Sequence, residues 1–157
     1  MGRPGGASTA AALALLTLLA RAGDAQYRRA RELSAGGLGA LASRPFAGAG
    51  LGLARRSGQL RPALTAAGGS WDGRAALRVE LTAQYLVNPG ATSGATLYAA
   101  FGVAGQVAEG TQGRAYLAAW LGLESAGRSG GPYAELGVGG GVRLAAGLRW
   151  RWQAPRR

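Results

Sequence analysis

Histidine, cysteine and lysine are all absent from this chain, and each absence closes off a class of function. Without cysteine there is no disulfide framework. Without cysteine or histidine there is no ordinary zinc or haem site, and no Ser-His or Cys-His nucleophile pair. Acids are scarce too: 7 against 18 basic residues, all of them arginine, for a formal net charge of +11. Charged residues make up only 16%, below the roughly 25% of a typical soluble domain. Glycine, with 29 residues, and apolar side chains, at 48%, are abundant. That is too apolar for a disordered basic tail. A length of 157 residues bounds the chain to one domain with at most a short tail.

The first segment reads as a targeting signal. Arg3 supplies a positive start, and residues 10–20 (AAALALLTLLA) form an apolar stretch. Two small-residue cleavage patterns follow, Ala20-Arg21-Ala22 and Gly23-Asp24-Ala25. This order matches a secretory signal peptide over 1–25, cleaved near Ala25. The alternative is an uncleaved membrane anchor, although the apolar run is short for a span of roughly 20 residues. Removing Arg3, Arg21 and Asp24 leaves 16 basic and 6 acidic residues, a charge of +10. An export signal argues against nucleic acid as the partner of that charge. It points instead to anionic lipid, or to arginines serving inside the structure.

From about residue 30 the chain alternates with period two. In 142–152 (VRLAAGLRWRW), Val142, Leu144, Ala146, Leu148, Trp150 and Trp152 oppose Arg143, Ala145, Gly147, Arg149 and Arg151. Strand side chains point alternately to two faces, so one face is apolar and the other small or cationic. In 74–87, Ala75, Leu77, Val79, Leu81, Ala83, Tyr85 and Val87 oppose Arg74, Ala76, Arg78, Glu80, Thr82 and Gln84, until Leu86 breaks the polar face. Residues 97–107, 114–124 and 132–138 repeat the pattern. Turn-rich segments separate these runs, among them Ser70-Trp71-Asp72-Gly73, Asn88-Pro89-Gly90 and Gly139-Gly140-Gly141. Glycine and alanine blur the alternation in 32–42, 45–55 and 58–68. About eight strands are expected, near 30–42, 45–55, 58–68, 73–87, 95–107, 112–123, 131–139 and 141–152.

Two all-β architectures use such strands. A soluble sandwich buries its apolar faces between sheets, whereas a transmembrane barrel turns them to lipid and fills its interior with polar or small residues. Strands of about 9 to 13 residues suit a tilted bilayer crossing and exceed the globular mode of about 5–6. Tyr85, Trp150 and Trp152 lie near strand ends, where an interfacial girdle belongs. The expectation is an antiparallel up-and-down transmembrane β-barrel over 26–152, with a short basic tail at 153–157.

The signal peptide, the alternating strands and the terminal GLRWRW of 147–152 resemble small bacterial outer-membrane β-barrel proteins, the group that includes the eight-stranded OmpA- and OmpX-like barrels. The resemblance implies an outer-membrane location. It also implies that Leu148, Trp150 and Trp152 form a C-terminal signal for the barrel-assembly machinery. The partners implied are outer-membrane lipids, lipopolysaccharide phosphates and that machinery, with the oligomeric state open.

The candidate site is the lumen. Glu80, Glu124 and Glu135 share the polar faces with Arg74, Arg78, Arg114, Arg143, Arg149 and Arg151. In a narrow interior these charges must pair, because an unpaired buried charge is expensive. An internal ion-pair network is therefore expected, with an anion-selectivity constriction as the alternative. No catalytic, metal or cofactor residue is expected. Ser34, Ser43, Ser57, Ser70, Ser93, Ser125 and Ser129 lack a G-x-S-x-G frame, and Gly48-Ala49-Gly50-Leu51-Gly52 lacks the spacing of a nucleotide loop. The expected role is structural or interactive in the cell envelope. The other reading is an exported, soluble, basic β-sheet protein gripping phosphates through Arg28-Arg29-Ala30-Arg31 and Arg55-Arg56.

Overall fold

The computed structural model describes residues 29–153; the expected signal peptide at 1–25 and residues 154–157 of the expected tail lie outside them. Eight strands run in order: β1 (Ala30–Leu41), β2 (Phe46–Arg56), β3 (Leu60–Trp71), β4 (Arg74–Leu86), β5 (Ala95–Ala108), β6 (Arg114–Ser125), β7 (Gly130–Val138) and β8 (Val142–Gln153). Each pairs antiparallel with its sequence neighbours, and β1 pairs with β8, so the sheet closes into a barrel. The strand positions follow from the alternation. The three glycine-rich segments, with little alternation of their own, take their register from the closed ladder.

Two local expectations change. The turn expected at 70–73 is shorter, because β3 runs through Trp71 and the hairpin is Asp72-Gly73 alone. Both turn residues have positive φ (53° and 79°), as a two-residue hairpin that follows strand twist requires. Leu86 does not break the polar face. It keeps the phase of β4 and is fully buried inside the barrel, packed with Tyr98 and Trp120.

The barrel is inverted relative to a soluble domain. Leu51, Leu64, Leu81, Phe101, Leu117, Leu121, Leu136 and Leu148 are all exposed on the outer face. Arg61, Arg78, Glu80, Glu124, Arg143 and Arg149 are buried inside. Eight strands leave an interior just wide enough for side chains to fill, so curvature must be tight. Inward-facing Gly36 and Gly147 are cross-strand partners. A Cβ on Gly36 would sit 2.2 Å from the Ala146 carbonyl oxygen, and one on Gly147 would sit 2.1 Å from that of Ala35. The strands approach so closely there that only glycine fits.

The start of β1 at Ala30 and the end of β8 at Gln153 lie at one end of the barrel with the connections 57–59, 87–94 and 126–129. The opposite end, the mouth, carries 42–45, 72–73, 109–113 and 139–141.

Candidate functional site

The inward positions of β1, β3, β4, β6, β7 and β8 bring five guanidinia and four carboxylates into one chain of contacts. Towards the termini, Glu124 Oε2 accepts from Arg61 Nη1 at 2.6 Å and from Arg149 Nη1, while Oε1 accepts from Arg151 Nη2 at 2.6 Å. Glu32 adds a second carboxylate to the same three arginines: Arg61 Nη1 at 3.0 Å, Arg151 Nε at 3.2 Å and Arg149 Nε at 3.8 Å. Towards the mouth, Glu80 accepts from Arg78 Nε at 2.9 Å and from Arg143 Nε and Nη2 at 3.0 and 2.8 Å. Glu135 joins the two groups. It lies 2.8 Å from Arg143 Nη1 and 3.6 Å from Arg149 Nη2, and it accepts the Tyr98 hydroxyl hydrogen bond.

Amides and rings complete the filling. Arg61 Nε donates to Gln84 at 2.7 Å, and Arg78 donates to Gln106 at 3.0 Å and to the Gly139 carbonyl at 2.7 Å. The guanidinium carbon of Arg143 stands 3.7 Å from the Trp120 ring centre, that of Arg61 4.5 Å from Tyr98 and that of Arg149 4.7 Å from Tyr133. Such contacts hold a cation without neutralising it. The guanidinium fork suits carboxylates that must serve two or three partners each. A cavity of about 20 Å³ remains, bordered by Ser34, Trp120, Tyr133, Glu135 and Arg143. That is room for about one water.

Of the residues expected from the sequence, Glu80, Glu124, Glu135, Arg78, Arg143, Arg149 and Arg151 come together in these contacts. Arg74 and Arg114 do not. Both are exposed at the mouth and make none of the ion pairs among the described residues. The reason is distance along the strand. Arg74 is six residues from Glu80, roughly 20 Å at strand rise. Buried Phe46 and Trp71 also belong to an apolar layer at the mouth end. Sequence reasoning missed Glu32 and Arg61, which stand in the glycine-rich segments. Arg61 is a lone charge in a small and apolar run, whereas Glu32 directly follows the arginine cluster at 28–31. Leu148, Trp150 and Trp152 lie together on the outer face of β8, all well exposed.

No protein-family model matches the chain, and no curated protein matches it.

A second feature lies at the mouth. A cleft of about 350 Å³ is lined by Arg44, Trp71, Asp72, Arg74, Thr111 and Gln112. Its floor is Trp71, which is buried and whose Nε1 donates to the Arg44 carbonyl at 3.2 Å, tying the 42–45 turn to β3. The Arg114 guanidinium stands 5.7 Å from the Trp71 ring centre. Arg74 Nη1 donates a long bond, 3.4 Å, to the Glu109 carbonyl, and Arg44 Nε lies 3.7 Å from Asp72 with both side chains more than half exposed.

Proposed function

We propose that this chain is an integral outer-membrane β-barrel protein of the small eight-stranded kind, with a structural or interaction role in the cell envelope and no enzymatic activity. The observation that carries the reading is the inversion of polarity. Charge is buried in the lumen, while large apolar side chains cover the outside of every strand after β1. Soluble monomers rarely expose apolar patches beyond a few hundred Å², whereas lipid-facing barrels require them. Strands of 9 to 14 residues support the same reading.

The filled lumen favours a closed barrel over an anion-selective pore, since an ion would have to displace tightly held guanidinium–carboxylate pairs. The apolar band also weighs against an exported soluble protein. In this reading the signal peptide directs export. The outward row Leu148, Trp150 and Trp152 serves as the signal read by the barrel-assembly machinery. Lipids of the outer membrane are the main partners.

Gel mobility of detergent-solubilised protein, with and without boiling, tests the proposal together with extraction from membranes. A heat-dependent shift and release by detergent but not by salt are expected. Release by a salt wash with an unchanged band would reject it. Trp152→Ala should accumulate in the periplasm, while truncation after Trp152 should assemble.

A further inference from the structure

We propose that the mouth cleft is a binding site for a phosphomonoester group. Two arginines, Arg44 and Arg74, line the cleft, and the guanidinium of a third, Arg114, stands 5.7 Å from the centre of the Trp71 ring that borders it. Their positions are fixed by the fold. Arg74 is the hairpin partner of Trp71, Arg44 precedes β2 on a turn tied to Trp71, and Arg114 begins β6.

These charges are weakly answered. Asp72 is 3.7 Å from Arg44, in an exposed pair that water screens. Arg74 meets a carbonyl, and Arg114 meets a ring. The lumen carboxylates do not compensate them, because they are committed to their own arginines deeper in the barrel. Against Arg44, Arg74 and Arg114 the mouth carries two acids, Asp72 and Glu109, so it keeps an excess of positive charge, in a cleft of a size that ligand sites commonly have.

Phosphate fits this geometry better than a carboxylate does. A planar carboxylate offers two oxygens to one fork. A phosphomonoester offers three around a tetrahedral centre, which guanidinia can approach from the 42–45 turn and from the starts of β4 and β6. Thr111 and Gln112 border the same space, the Thr111 hydroxyl donating to the Ala108 carbonyl at 2.9 Å. The group could arrive on a soluble sugar phosphate or on a lipid headgroup. Which side of a membrane the cleft faces rests on the barrel reading above; the cleft itself does not.

The test is calorimetric titration of the full chain, folded in zwitterionic detergent, with inorganic phosphate, with glucose 1-phosphate and with phosphatidic acid in mixed micelles. Saturable binding of at least one probe is expected. Arg44→Gln and Arg74→Gln should each weaken it about tenfold or more, and Arg128→Gln, exposed at the opposite end, should leave it unchanged. Binding of the soluble probes identifies a soluble source; binding of phosphatidic acid alone identifies a lipid source. The proposal is overturned if no probe saturates, if the two mouth variants bind like the parent, if Arg128→Gln is equally weakened, or if acetate competes at equal concentration. Should the chain prove soluble, the same titrations run without detergent, so this inference and the membrane reading fail separately.

Discussion

The lumen wall built by β1–β3 differs from the wall built by β4–β8. The first is largely small: Gly36, Gly48, Gly50, Gly52, Ala63 and Ala67 face inward through its middle, with Glu32 and Arg61 near the terminal end. The second carries the bulk, with Arg78, Tyr98, Trp120, Arg143 and Arg149. Both walls meet at the same residual cavity. Because strand number sets the interior width, long side chains on one wall need short ones on the other. The small wall has a second cause: where Gly36 meets Gly147, the sheet coils too tightly for a Cβ. One set of glycines thus serves both curvature and the space the arginines occupy.

The largest effect should come from the bulky wall. Glu124→Gln would leave Arg61 and Arg151 with Glu32 as their one remaining acid among these contacts, and Arg149 with Glu32 at 3.8 Å and Glu135 at 3.6 Å, in a buried setting. We expect a loss of about 3–5 kcal/mol, as for breaking a buried ion pair, read as a lower midpoint in urea unfolding of the detergent-folded barrel. An unchanged midpoint would mean that water already screens these charges. The outer surface should not share the asymmetry of the lumen. Leu121→Arg behind the bulky wall and Leu51→Arg behind the small wall should each cost roughly 2–4 kcal/mol of folding into bilayers, the range for mid-bilayer arginine. Normal insertion of both would remove the lipid from the picture.

A subtler pair separates the two duties of glycine. Gly36→Ala should cost about 1–3 kcal/mol by overpacking against the facing backbone, whereas Gly68→Ala should be nearly neutral because open space surrounds its outward position. Equal urea midpoints for the two would refute the curvature argument. Smallest of all, Glu109→Gln in the exposed mouth turn should stay within about 0.5 kcal/mol of the parent.

The same contrast explains what the sequence could say. In β4–β8, leucines and valines alternate with arginine, glutamate or small residues, so strand phase and inward face are readable directly from residues such as Leu117, Leu121 and Leu123. In β1, Leu33 and Leu38 fall on opposite faces and four residues between them are glycine, alanine or serine. No amphipathic contrast marks the phase there, so Glu32 could not be assigned to the lumen, and Arg61 was hidden in the same way in β3. Arg74 and Arg114 share the inward phase of Arg78 and Glu124, but period two reports the face and not the depth. Only closure of the barrel shows that their depth puts them at the mouth. The plugging role of Leu86 was illegible for a related reason, since an apolar residue on a polar face looks like an error until its neighbours Tyr98 and Trp120 are placed.

The ion pair between Arg151 and Glu32 also bears on the order of events in folding. Its partners are 119 residues apart and belong to the last and first strands. Bringing such distant segments together costs on the order of 4 kcal/mol in chain entropy, whereas each hairpin closes over only a few residues. The β1–β8 seam joins the segments farthest apart in sequence, and it is expected to form after the hairpins. Before closure the sheet has two free edges, and Glu32 has Arg61 of β3 as a partner but not yet Arg149 and Arg151 of β8. Glu32, Arg149 and Arg151 at that seam act as a latch, rewarding correct closure at one register and leaving a slipped register with mismatched charge.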